Sequence, residues 1–387
     1  MGTARWLTRP FLLLTLFYFL VFAAGYQIVP VMPFRLRELG ATLAQSGRFM
    51  AAFQLGSGLG ALFTGPLGDR LGKDRVLRAA ALLSAAFFLS YAWLRLPWVF
   101  FVLAFAHGIV WSALRTNALA KVGGLLPETR RAEALALFGL ASPGGVAVGP
   151  MMGLQLYRWM GFTLHMVLLA AAFIALQRLG HALPEDTARP EAPKGLQWPQ
   201  RAVWIPAVTM VLLALSYGPM GPYSAQEAKA AGVKWDGAFL TCFGLGMLSL
   251  RFVLGLRGLG QRPVALLPRM ILLTLLGSAL MAILPGTLVR HILAGLVYGA
   301  GYAMVHTLVF MHILETTPAE TRGAAVGAMY FSYDAGVAMG AILVGLLMDR
   351  AGFRWGWWSG TAALLLSLLP ARRLVTQHLH HRGMLES

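Results

Sequence analysis

A chain of 387 residues with 58% hydrophobic and 12% charged side chains, and a mean hydropathy of +0.66, is too apolar for a water-soluble domain, where about 25% of residues are charged. Its formal net charge of +17 would point to nucleic acid only if the basic residues clustered on a solvated domain, and here they sit between apolar runs. The single cysteine, Cys242, excludes an intrachain disulfide and a thiolate metal cluster.

In chain order, apolar runs predict membrane crossings near residues 9–31, 45–67, 77–95, 98–121, 133–156, 162–180, 202–222, 237–256, 264–284, 287–314, 323–348 and 356–372. Twelve crossings of ~20 residues use about 240 residues and leave short loops, which suits this length. The first run, Phe11 to Val31, is too long for a signal-peptide core and lacks a small-x-small cleavage site, so it reads as a retained crossing. Gly180 to Arg201 is rich in Pro, Glu, Asp and Lys and cannot bury a core. It divides the chain into a six-helix bundle at 1–180, a linker at 181–201 and a second six-helix bundle at 202–387 with a short tail. Of the 32 lysines and arginines, 21 fall on the side that carries both termini, 10 on the other, and Arg115 within the membrane. The excess places both termini and the linker in the cytoplasm.

The halves repeat. Pro30-x-x-Pro33-Phe34-x-x-x-Glu38 closes the first crossing, and Pro219-x-x-Pro222-Tyr223-x-x-x-Glu227 closes the seventh. Pro127, Arg131, Gly145-Val-Ala147 and Gly149 have counterparts in Pro318, Arg322, Gly336-Val-Ala338 and Gly340, and His107-Gly108 maps onto Tyr298-Gly299. Matches in consistent order predict two bundles related by an axis along the membrane normal, with a cavity between them.

The stretch Gly65-Pro-Leu-Gly-Asp-Arg-Leu-Gly-Lys-Asp-Arg-Val-Leu-Arg78 reads as a tight charged loop between the second and third crossings. Gly65, Gly68 and Gly72 permit close approach and left-handed turns. Asp69 can pair with a nearby base, and Arg70, Lys73, Arg75 and Arg78 load one membrane face with positive charge. The order Gly-x-Leu-Gly-Asp-Arg-x-Gly-Lys-x-Arg resembles the loop between helices 2 and 3 of the major facilitator superfamily of secondary transporters. That resemblance covers nearly the whole chain. It implies an all-α integral membrane protein of twelve transmembrane helices in two pseudo-symmetric six-helix bundles, working by alternating access, with this loop as a conformational gate. The second copy has decayed: Gly255 and Gly258 remain, but Leu259 stands where Asp69 stands.

Within the superfamily, Gly145-x-x-x-Gly149-Pro150-x-x-Gly153 in the fifth crossing resembles the motif of the drug:proton antiporters and implies export; plain helix packing explains the same spacing. Gly25 and Pro30-x-x-Pro33 also resemble that branch. The fourth crossing departs from it, with Ala104, Phe105 and Ala106 where the branch carries an arginine, so the proton-relay role of that arginine has no counterpart at those positions.

Charged and polar residues at membrane depth are the candidates for the cavity. His107, Trp111 and Arg115 fall at i, i+4 and i+8 on one helix face, and the repeat sets Tyr298, Tyr302 and His306 on the matching face of the tenth crossing. Arg115 either faces the cavity or snorkels to the headgroups, and His107 fits a cavity or a packing role equally. Asp334, flanked by Tyr330 and Tyr333, is the only acid well inside a span. It is costly there unless paired or protonated, which suits a proton carrier or a structural pair with a neighbouring base. His306 is the expected partner or second titrating site. Tyr18 and Gln27 add uncharged polar groups to the first crossing. With no acid in the first-half cavity and Arg115 available, an anionic, zwitterionic or amphipathic substrate fits better than a lipophilic cation.

No Gly-x-x-x-x-Gly-Lys-Ser/Thr loop, His-Glu-x-x-His helix or Gly-x-Ser-x-Gly elbow occurs. The tail histidines His378, His380 and His381 read as a solvated basic tail with at most adventitious metal binding. The expectation is therefore a transporter with no enzymatic site, cofactor or metal, whose partners are a small-molecule substrate, protons and the lipid bilayer. Proton-coupled export is the leading reading, in a monomer of a bacterial inner membrane. Import or uniport is the alternative within transport, and a membrane receptor or scaffold, or a lipid enzyme, the alternative outside it.

Overall fold

A computed structural model of the chain describes residues 7–125, 137–183, 203–257, 263–318, 321–381 and 383. The linker beyond residue 183, together with Pro127, Arg131, Gly258 and the side chain of His381, lies outside the described residues.

The described helices are α1 (Arg9–Gly25), α2 (Ile28–Glu38), α3 (Leu43–Leu71), α4 (Lys73–Trp93), α5 (Pro97–Gly124), α6 (Ala141–Gly180), α7 (Trp204–Tyr217), α8 (Met220–Ala230), α9 (Ala238–Arg257), α10 (Leu267–Ile283), α11 (Leu288–Thr316), α12 (Arg322–Ala351) and α13 (Phe353–His381). They cross the membrane twelve times, because α1–α2 and α7–α8 each form one broken crossing and α6 holds two. Gly161, at φ 78°, turns the chain inside α6. Its first part rises alongside α1, with Gly145, Gly149 and Gly153 against Phe22, Ala23 and Gln27 in turn. Its second part returns along α4, from Thr163 on the Ala92 carbonyl to Gly180 beside Arg78.

Among the described residues, eight helical stretches, α1–α2 and α7–α8 each counted as one, are long and apolar enough to cross a membrane on length and composition. Helix α3 is not one of them for a physical reason. It is wedged between α5 and α12, and its glycines and the buried Ser46, Gln54 and Ser57 lower its hydropathy although Leu55, Leu59 and Phe63 are exposed.

Three boundaries differ from the sequence expectation. The charged loop at 65–78 is a single residue: α3 runs through Leu71, α4 starts at Lys73, and Gly72 between them takes φ 94°. A residue at that φ is strained unless it is glycine. Gly68 is needed for a different reason, since a Cβ there would stand 1.6 Å from the Asn117 Oδ1. Gly65 has nothing within 4 Å of an added Cβ, so the close approach expected of it is absent. Finally, the tail is a helix rather than an extension, with His380 exposed as expected but His378 not. α13 continues to His381, and His378 is buried with its Nδ1 3.2 Å from the Nδ1 of His312.

These contacts predict opposite outcomes for two neighbouring glycines. Gly68→Ala should lower the unfolding temperature of the detergent-purified protein, by an overpacking cost of about 1–3 kcal/mol, because Asn117 is held by the carbonyls of Thr64 (3.0 Å) and Ala113 (2.9 Å). Gly65→Ala should be neutral or stabilising, as expected for an unobstructed helical glycine.

Helices up to Gly180 pack mainly on one another, and so do those from Trp204, with α3 on α12 and α6 on α9 as the long seams between the bundles. The predicted repeat is visible in three dimensions. The Pro-x-x-Pro stretches form the 11-residue helices α2 and α8, which pack together at the end of the bundle away from the termini. Gly336 and Gly340 of α12 lie against Val211 and Leu215 of α7, as Gly145 and Gly149 lie against α1.

Candidate functional site

One charged pair joins the two bundles through the interior. Arg115 of α5 donates from Nη2 to Asp334 Oδ2 of α12 at 2.8 Å and from Nη1 to Oδ1 at 3.3 Å. Asp334 is fully buried, and the guanidinium lies over the ring of Tyr330, 4.6 Å from its centroid. A two-point carboxylate–guanidinium contact is the strong form of such a pair, and removal from water is what makes it costly to break. Arg115 therefore turns inward to Asp334 of the other bundle and not toward the headgroups. The base paired with Asp334 is Arg115 and not His306, which stacks on Phe310 and meets Tyr333 edge-on.

A second guanidinium stands nearby. Arg251 of α9 donates to the Gly139 carbonyl of the first bundle at 2.9 Å and to Thr307 Oγ1 of the second at 3.2 Å. Sequence reasoning assigned Arg251 to the charges outside the membrane, because it lies near the end of a predicted span. Its flanking Leu250 and Phe252 were the available signal that it is an interior charge. Both Arg115 and Arg251 keep a buried Nε–H with no acceptor.

Aromatic rings surround this centre. Tyr18 stacks on Phe138 and meets Phe22 edge-on; Trp111 packs on Phe22, Phe53 and Tyr26. Tyr302 donates to Tyr333 at 2.5 Å and packs on Tyr217 and Tyr298. Tyr26, Tyr217 and Tyr333 thus join the set found from the sequence. Three predicted members make their polar contacts elsewhere. His107 is packed by Phe53, Phe87, Phe88 and Tyr91 inside the first bundle, its Nδ1 3.4 Å from the Tyr91 hydroxyl. Gln27, at the break between α1 and α2, pairs with His165 Nε2 of α6 at 2.8 Å. Tyr298 shares a 3.0 Å hydrogen bond with Ser216 and serves the core of the second bundle.

At the end away from the termini, the bundles are tied together. Thr42 Oγ1 and the Ala44 N–H both donate to Asp349, at 2.9 and 3.0 Å, and Gln226 donates to Ser46 at 3.1 Å. Arg158 pairs with Asp236, and Lys229 lies over Phe34. At the opposite end, Asp69 pairs with Lys73 one turn on, at 2.9 Å. Among the described residues there is no group of three or more metal-ligating side chains.

Comparison with known proteins agrees with this architecture. The sequence profile of the Major Facilitator Superfamily matches residues 14–333. The staphylopine export protein of Staphylococcus aureus is 23% identical over 92% of this chain and 92% of its own. The gentisate transporter of Corynebacterium glutamicum is 23% identical over 91% of this chain and 84% of its own. The crystal structure of the nucleoside transporter NupG superposes with a TM-score of 0.72 at 15% identity, covering 95% of this chain and 99% of that one. Twelve crossings in two repeated bundles, joined through the membrane by a buried ion pair, are the frame of a transporter and not of an enzyme, and the chain belongs to the major facilitator superfamily.

Proposed function

We propose that this transporter exports a small amphipathic molecule bearing an acid group, a zwitterion above all, by alternating access coupled to protons at Asp334. The observation that carries the substrate class is the charge balance at the centre: Arg115, paired with the one carboxylate, and Arg251, bound to Gly139 and Thr307, each keep an unused buried N–H. A buried site with that surplus favours a carboxylate-bearing ligand. Export is supported by the Gly145, Gly149, Pro150 and Gly153 packing surface on α1 and by the likeness to the staphylopine export protein. In this reading residues 1–180 and 202–387 rock as two units. Gly65, Gly68, Asp69, Arg70, Gly72, Lys73 and Arg75 form the gate on the terminal side, which faces the cytoplasm of a bacterial cell, and the protein acts as a monomer.

The ion pair sets the sign of coupling. A zwitterion can give its carboxylate to Arg115 and Arg251 and its ammonium to Asp334. It then competes with a proton for Asp334, and competition gives antiport. An anion without an ammonium takes Arg115 away from Asp334 and leaves that carboxylate unpaired, which favours its protonation. Anion and proton then bind together, and import by symport follows. The gentisate transporter's likeness makes this second reading worth the same test.

That test uses proteoliposomes holding wild type or Asp334→Asn, offered a panel of zwitterions, amphipathic anions and cationic dyes with and without a pH gradient. Zwitterion movement opposite to proton movement, lost in Asp334→Asn, is the expected result. Anion movement in the same direction as protons supports the second reading. Gradient-driven movement that survives in the variant removes Asp334 from coupling, and no movement of any acid removes the proposal.

A further inference from the structure

The second bundle carries another polar site, at the end away from the termini, whose lining shares no residue with the central pair. It is a cavity of about 330 Å3 bounded by Glu227, Arg290, Arg354, Trp357 and the 281–285 turn between α10 and α11. That volume lies within the ~300–1,000 Å3 range of small-molecule sites.

Its walls are rich in donors. Arg354 and Trp357 stand on the first turns of α13, where free backbone N–H groups concentrate partial positive charge. Arg354 is exposed and commits one N–H, Nε to the Ala282 carbonyl at 3.2 Å, leaving its terminal amino groups without a protein acceptor. Trp357 is 1% exposed, and its indole N–H has no acceptor. Arg290 is 4% exposed. It donates to the carbonyls of Met281 (3.2 Å) and Leu284 (3.1 Å) and to Glu227, and its Nε–H is also without an acceptor. Glu227, the one acid in the wall, is already shared between Arg290 and His291, whose Nε2 lies 2.8 Å away.

A cavity with a neutralised acid, an uncommitted guanidinium and two buried N–H groups lacking acceptors is short of negative charge and of lone pairs. A buried donor without a partner costs about 1–3 kcal/mol, and two of them on α11 and α13, with the exposed Arg354 guanidinium beside them, fit an oxyanion. We propose that this cavity binds a phosphate group, either free in solution or carried by a lipid. The lipid source is within reach because Trp355, Val289 and Ile283, all exposed, sit beside the cavity-lining residues in sequence and suit the membrane interface.

The experiment has two arms, both on the full chain. In the first, detergent-purified protein in phosphate-free buffer is titrated with inorganic phosphate by calorimetry. In the second, nanodiscs of mixed phosphatidylglycerol and phosphatidylcholine are examined by native mass spectrometry for retained lipid. The variants are Arg354→Gln, whose side chain is exposed, and Trp357→Phe, which keeps an aromatic ring, though a smaller one, and deletes the donor. Phosphate binding alone identifies a free anion, and preferential retention of phosphatidylglycerol identifies a headgroup. In either case Arg354→Gln should weaken binding at least about tenfold, the usual loss for a charge-assisted hydrogen bond, and Trp357→Phe several-fold. Absence of both signals in wild type, or unchanged binding in both variants, overturns the proposal.

Discussion

Arg115→Ala should destabilise the detergent-purified protein by roughly 3–5 kcal/mol, the cost of leaving a buried charge without its partner. Asp334 is fully buried and receives both terminal amino groups of Arg115. Asp334→Ala should cost a similar amount, because Arg115 would keep only the face of Tyr330. The double variant Arg115→Met/Asp334→Leu should recover most of the loss, since removing both charges also removes their desolvation penalty. Transport separates the two roles of the pair. If it is a structural strut, the double variant regains transport along with stability. If it is the coupling centre, the double variant is stable and inactive, and that is the expected result. Thermal unfolding and proteoliposome flux on the same four proteins decide the matter. Additive losses in stability would show that the two residues do not act as a pair.

The architecture was legible because repetition and hydropathy are properties of the chain itself. Pro30-x-x-Pro33 and Pro219-x-x-Pro222 occupy matching helices, and the glycines at 145 and 336 pack against matching partners. The boundaries were less legible. A charged Gly-rich stretch looks like a loop, yet Asp69 and Arg70 are helical because one glycine with positive φ suffices to turn the chain. Helix α13 runs past its apolar core to His381 because His378 packs on α11, a contact that hydropathy does not register. Periodicity put His107, Trp111 and Arg115 on one face, but a face is wider than a site. One helical turn separates the aromatic cage of His107 from Trp111, and another separates Trp111 from the ion pair. The sequence supplied Arg115 and Asp334 separately as costly intramembrane charges. Which base meets which acid depends on the seam between α3 and α12, and no single helix encodes that.

Arg251 is where the substrate reading is most exposed to test. Its side chain spans the two bundles, from the Gly139 carbonyl to Thr307 Oγ1, with Nε still free. If that free donor and its charge serve the substrate's acid group, Arg251→Ala should raise the half-saturation concentration for an acidic or zwitterionic substrate by about 10–100-fold, the worth of a charge-assisted hydrogen bond. It should leave an uncharged amphiphile unaffected. Arg251→Lys restores the charge but not the fork that reaches two acceptors at once, so it should recover affinity only in part. A purely mechanical role predicts something different. Loss of the tie between Gly139 and Thr307 would loosen closure on the terminal side, changing the maximal rate for every substrate alike and raising the labelling of cysteines placed in that half of the cavity. Affinity lost selectively for acids, with the maximal rate preserved, identifies Arg251 as the second anchor. A uniform change in rate assigns it to the gate and leaves Arg115 as the single cationic contact for substrate.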